Sequence, residues 1–364
     1  MNRGSITSPQ LFWTALLSML PTMITLLPGE LLRQGGRWAW WTPLVAAPPA
    51  AALAWIVGWF ASRGGDLVAQ AHVALGPIAG RLLLAAACAA TGAYTVVIVR
   101  EVAEGVRATY VSGNVPLGAL VLMALLPAGI LAWLGPVVIA RVAALVAPTL
   151  TAAYVGGLAV AIPVLHMIWA LPLLPGDGRF AAWPPVGIAW VWLVEPALVG
   201  VLVAHRLEPG ARRRAGRVLA GVTLAAAGLL ALGLWTLVAD FGPPRAAQLT
   251  LPFQLFAEDL PYSPYLEHLD TLVLPVQMLS GLGKLGIFLW LWSRLAGGVS
   301  QRRWAHAALL CGAVAAGILG LVLFPNALAV DRSLYGLADF ALPVLTGAML
   351  LPYLAGRAWR RTAP

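Results

Sequence analysis

Charge is what this chain has least of: 10% of its 364 residues are Asp, Glu, Lys or Arg, while 60% are hydrophobic. A soluble domain carries about 25% charged residues, so this sequence cannot clothe a water-facing surface. Lysine is almost missing, with Lys284 standing alone. The two cysteines, Cys88 and Cys311, both lie in apolar runs, which excludes a disulfide framework and any zinc-ligand spacing. The five histidines are scattered and form no ligand pair. There is no Walker loop, no nucleotide fingerprint after a strand and no nucleophile elbow. The expectation is a protein that is not an enzyme, holds no cofactor or metal, and has no means of coupling ATP hydrolysis to work.

What is there is apolar and helical. Runs between charged or Pro/Gly punctuation predict ten membrane helices near 11–32, 38–61, 81–110, 116–135, 137–162, 185–205, 217–240, 271–293, 304–324 and 334–355. At roughly 20 residues per span they use about 200 residues, which leaves no room for a large soluble domain. The chain therefore reads as one polytopic domain over 1–364. The N-terminal run has no small-residue cleavage site and is read as a retained first helix.

The net charge of +9 could suggest nucleic acid or anionic lipid, but the arginine positions explain it better. With ten spans and the N-terminus inside, fifteen arginines fall on the inner side, including Arg212, Arg213 and Arg214, and seven on the outer side. That asymmetry predicts both termini in the cytoplasm and no nucleic-acid partner.

Two connections resemble short helices lying in the membrane interface: 66–75 (DLVAQAHVAL), after the second span, and 252–260 (PFQLFAEDL), after the seventh. They stand five spans apart on opposite sides, as an inverted repeat of five helices plus five would place them, with repeats of about 11–162 and 185–355. The predicted fold class is thus an all-α membrane protein with ten helices in a LeuT-like 5+5 inverted repeat.

Polar groups inside the spans mark a candidate site. Pro21 interrupts the first span, and Glu195 sits at mid-depth in the sixth, immediately before Pro196. An ionised carboxylate there costs at least about 2.5–3.5 kcal/mol, so it faces the bundle interior, is protonated, or is paired. Matching breaks in spans one and six are the pattern of a binding site in a 5+5 transporter. In span eight Gln277, Ser280 and Lys284 are one turn apart and share a face. Lys284 needs a partner, with Glu195 and Asp270 as candidates. Glu101 and Glu104, near the outer end of span three, read as solvated interface charges. The tryptophans cluster mostly at span ends, as an aromatic belt does.

From end to end these residues resemble the endospore germination permeases, the B subunits of nutrient germinant receptors in the amino acid/polyamine/organocation superfamily. The resemblance runs through Ile6, Thr7 and Gln10, Leu27-Pro28, Arg100-Glu101 with Ala103-Glu104, 135–141 (GPVVIAR), 171–175 (LPLLP), Glu195, Leu251-Pro252, 265–270 (YLEHLD) and Lys284. The chain departs from the family pattern with Pro21-Thr22 in mid-span one and Val194 before the span-six glutamate. The resemblance implies a multi-pass subunit of the spore inner membrane. It would bind a small nutrient, such as an amino acid, and signal to A and C subunits of the receptor.

Under that reading a nutrient occupies the hollow between the broken centres of spans one and six and spans three and eight. The candidate liners are Met19, Pro21, Thr22, Met23, Thr91, Tyr94, Trp192, Glu195, Gln277 and Lys284. The alternatives are a secondary transporter with Glu195 as proton carrier, and an ion-conducting subunit of the receptor.

Overall fold

The computed structural model describes residues 4–64, 67–110, 115–171, 183–259, 270–300, 305–323 and 351–352. Among them the backbone is helical, and the one β feature is an isolated parallel bridge between Ile6 and Leu207. The helices are α1 (Ser8–Ile24), α2 (Leu26–Gly35), α3 (Trp41–Gly64), α4 (Leu67–Tyr110), α5 (Leu117–Leu134), α6 (Pro136–Ala161), α7 (Trp183–Leu193), α8 (Glu195–Val203), α9 (Pro209–Phe241), α10 (Pro243–Ala246), α11 (Pro252–Asp259), α12 (Asp270–Ser300) and α13 (Ala305–Leu323). The first nine expected spans are met in order by α1–α2, α3, α4, α5, α6, α7–α8, α9, α12 and α13. The expected tenth span falls almost wholly outside the described residues, as do the 172–175 and 265–269 parts of the family motifs.

Among the described residues, spans one to four are each laid against the span five places later. α1 packs on α8 and α2 on α7, α3 on α9, α4 on α12, and α5 on α13. That pairing is what a 5+5 inverted repeat produces about an axis in the membrane plane. It also explains where small residues must stand. A Cβ on Gly58 of α3 would lie 2.7 Å from the Gly216 backbone, and one on Gly216 of α9 would lie 2.6 Å from the Trp55 carbonyl oxygen. The second and seventh spans therefore cross backbone to backbone, the close approach that glycine permits between membrane helices.

Both expected short helices are present among the described residues. The chain from Leu67 is helical up to Gly76, whose φ of +79° and ψ of 172° end that segment before Pro77 starts the long span. A left-handed φ costs glycine little, and Pro77 at the new helix start lacks only an N–H that would have been orphaned there. α11 occupies the equivalent place after the seventh span.

The first span is broken, but not at Pro21. α1 runs through Pro21 to Ile24, and the chain bends by 59° at Thr25, whose φ/ψ of −94°/−102° is non-helical. The cause is Pro28, in the first turn of α2: it has no N–H for the Ile24 carbonyl, and its ring would collide with that carbonyl if the helix continued. In the sixth span Pro196 removes the bond to Trp192 in the same way, and the helix lapses at Val194, the single residue between α7 and α8, whose φ/ψ of −87°/−8° stays right-handed. This interruption leaves Pro185–Arg206 as one membrane-crossing segment of 22 residues.

The N-terminal strap is fixed where the sixth span ends. The Ile6 amide donates to the Arg206 carbonyl (2.9 Å), the Glu208 amide donates to the Ile6 carbonyl (3.1 Å), and Ile6 is fully buried.

Candidate functional site

Four helices that share no continuous stretch of sequence deliver one polar cluster to the middle of the bundle. Lys284, on α12, is completely buried, and so is Glu195, the first residue of α8. The Lys284 Nζ donates to Glu195 Oε1 at 2.9 Å, to Thr22 Oγ1 of α1 at 2.6 Å, and to the Tyr94 hydroxyl of α4 at 3.2 Å. The Tyr94 hydroxyl in turn donates to Glu195 Oε1. All three ammonium donors are thus used, which is the condition under which a buried lysine is tolerated in a membrane. The sequence left Lys284 a choice of partner; the ion pair is with Glu195. Phe288, one turn along α12, meets the Tyr94 ring edge to face with centroids 4.9 Å apart and fixes the phenol from behind.

The network continues outward. Thr22 Oγ1 donates to Glu101 Oε2 at 3.2 Å, and Thr25 Oγ1, at the bend itself, donates to Glu101 Oε1 at 2.6 Å. Glu101 is only 2% exposed. The expectation of a solvated interface charge is therefore corrected. α4 continues nine residues beyond it to Tyr110, about 13 Å at 1.5 Å per residue, which carries the position down into the bundle. Its neighbour Arg100 is also buried and pairs with Glu104 at 2.6 Å, one turn along α4. The signal was present in the spacing: Glu101 follows Tyr94 by seven residues, two helical turns, so the two share a face.

Of the ten candidate liners, Thr22, Tyr94, Glu195 and Lys284 are brought into direct contact. Met19, Pro21 and Met23 are buried in α1 and Thr91 in α4, and Trp192 is buried on α7, the half of the sixth span that precedes Glu195. Thr91 spends its hydroxyl on the Ala87 carbonyl at 2.7 Å. Gln277 lies outside the residues whose side chains are described. Two polar atoms in this region are buried without a hydrogen-bond partner: Glu195 Oε2 and Trp192 Nε1. Buried polar atoms are rarely left orphaned in native proteins, and where they are, a bound molecule is among the standard explanations.

The donor set is one ammonium, one or two carboxyls, a phenol and two hydroxyls. The ammonium at its centre occupies the place where a divalent cation would need negative charge. The chemistry on offer is binding of a small polar solute and movement of a proton.

The architecture matches solved transporters. A nucleobase-cation-symport-1 family transporter, Mhp1, in a closed conformation with bromovinylhydantoin bound, superposes with a TM-score of 0.62 at 14% identity, covering 100% of this chain and 94% of its own. Two mutant forms of the manganese transporter of Eremococcus coleocola give TM-scores of 0.64 and 0.63, also at 14% identity, covering 95% of this chain and 78% of theirs. No family model matches the sequence, and no characterised protein matches it either. The likeness is one of fold: a helical inverted repeat with interrupted first and sixth spans, nine of whose expected spans are met by helices among the described residues.

Proposed function

We propose that this chain is a secondary-transporter-type membrane protein that binds a small zwitterionic solute, such as an amino acid, where its two interrupted spans meet. The observation that carries the reading is the buried Lys284–Glu195 pair, which joins α12 to the break in the sixth span and, through Thr22, to the first. Glu195 Oε2 stands unpaired beside it and suits the solute's ammonium group. The start of α2 has no side-chain cap, and its first-turn N–H groups and positive dipole end suit the solute's carboxylate. The metal cargo named for the manganese transporter does not carry over, because an ammonium fills the centre of this site.

The test is counterflow and proton-driven uptake of a labelled amino-acid mixture in liposomes holding the full chain. Uptake that is lost in Glu195→Gln and Lys284→Met supports the proposal. Equal uptake in wild type and both variants, with the variants monodisperse, refutes it.

A second reading is favoured by the ordered motifs of the germination permeases, three of whose residues, Glu101, Glu195 and Lys284, belong to the buried network. In that reading the same pocket senses a nutrient in the spore inner membrane, with both termini cytoplasmic, and reports to A and C subunits. Its tests are genes for those two subunits beside this one, and loss of germination in spores carrying Lys284→Met.

A further inference from the structure

Counting hydrogens at Glu101 exposes a site that the solute reading does not use. A threonine hydroxyl has one hydrogen to give. Thr22 Oγ1 receives the Lys284 ammonium at 2.6 Å and gives its own hydrogen to Glu101 Oε2. Thr25 Oγ1 is differently placed. It has two acceptors in reach, Glu101 Oε1 at 2.6 Å and the Pro21 carbonyl oxygen at 2.9 Å, and one hydrogen for both. With Glu101 ionised, one of these contacts is left without a hydrogen. With a proton on Oε1 both are filled: the carboxylic acid donates to Thr25, and Thr25 donates to Pro21.

A count of charges reaches the same place. The ammonium of Lys284 is matched by Glu195, 2.9 Å away. Arg100 is engaged by Glu104, and Glu30 by Arg33 on α2. α5 carries no ionisable side chain, and the described side chains of α13 offer only the exposed Cys311. Among the described residues that face the network, Glu101 is therefore a carboxyl in excess, buried at membrane depth with only hydroxyls as donors. An ionised group so placed is strongly disfavoured unless paired.

We infer that Glu101 is a proton-binding site, separate from the Glu195–Lys284 pair, whose occupancy is coupled to the bend of the first span. Binding forms an O–H bond at Oε1 from a solvent proton; no electron moves and no other reactant is needed. Release returns the Thr25 hydrogen to the carboxylate, and the Pro21 carbonyl gives up its side-chain bond at the foot of the 59° bend. It also leaves a negative charge one hydroxyl away from Lys284, so the ammonium is shared between two carboxylates and holds Glu195 less firmly. A metal cation is a poor occupant, because Thr22 Oγ1 already contacts the ammonium and only one further hydroxyl is on hand.

The inference rests on the same buried network as the proposed function, but its test contains no solute, so the two fail separately. The full chain in liposomes is titrated between acid and alkaline buffer and followed by infrared difference spectroscopy in the carboxylic-acid C=O region. The expected result is one protonated-acid band that disappears at alkaline pH, is absent in Glu101→Gln, and persists in Glu195→Gln. Should Glu101→Gln fail to fold, Thr22→Val and Thr25→Val serve in its place, since each removes a hydrogen-bond partner of the acid and must move the band. A band that survives Glu101→Gln, that ignores both threonine changes, or that is abolished by sodium at constant pH overturns the inference.

Discussion

Replacing Lys284 by methionine tests the central ion pair most directly, because both partners are fully buried and lie 2.9 Å apart. Removing one member of such a pair leaves the other as an uncompensated buried charge, which typically costs about 3–5 kcal/mol. The same magnitude applies to Glu195→Gln, which strands the ammonium with only the Thr22 and Tyr94 oxygens. The double variant strands nothing: both charges leave together, and what is lost is a handful of hydrogen bonds, each worth about 1 kcal/mol. The two single changes should therefore sum to about 6–10 kcal/mol while the double stays well below that, a coupling of at least about 2 kcal/mol. SDS-driven unfolding in mixed micelles, followed by tryptophan fluorescence, measures all four corners of the cycle. A double variant as unstable as the sum of the singles would refute the pairing and, with it, the placement of Glu195 inside the bundle.

Tyr94→Phe keeps the ring against Phe288 but removes the hydroxyl that Glu195 and Lys284 share; it should destabilise by about 1–3 kcal/mol in the same assay and weaken amino-acid uptake. Gly58→Val should abolish monodisperse protein in gel filtration, since its Cβ would meet the Gly216 backbone at 2.7 Å, whereas Gly156→Ala, with nothing within 4 Å, should behave as wild type. Pro28→Ala restores an amide donor toward Ile24 and should straighten the first span; spin labels at Ser8 and Gln34 would move apart, and uptake should fall without loss of folded protein. Labels that keep their wild-type separation would assign the bend to packing instead of to Pro28.

The architecture was legible because membrane helices announce themselves by composition. Helices stand in the expected order over spans one to nine, the first seven of them long and apolar enough to cross a membrane, and even the short helices after spans two and seven could be read from mixed polar and apolar residues. Depth was harder to read. Sequence located Glu195 and Lys284 inside spans but not each other, since a pairing between α8 and α12 depends on how distant segments are brought together. The break in the first span was assigned to Pro21, yet a proline acts on the carbonyl four residues before it, and Pro28 with Thr25 between is where that geometry opens the helix. Glu101 was misplaced for a related reason. The end of its helix at residue 110 was read correctly, but the hydroxyls that hold it, from Thr22 and Thr25, belong to the first span and reach it only through the packing of distant segments.

The short backbone pairing of Ile6 with Leu207 means that the first and sixth spans are not independent levers. Two interstrand hydrogen bonds clamp the approach to one span onto the exit from the other, so a tilt of either drags its partner along. Anything that grips the opening residues of the chain, whether a fused domain or a neighbouring subunit, would therefore act as a brake on both halves of the solute site at once.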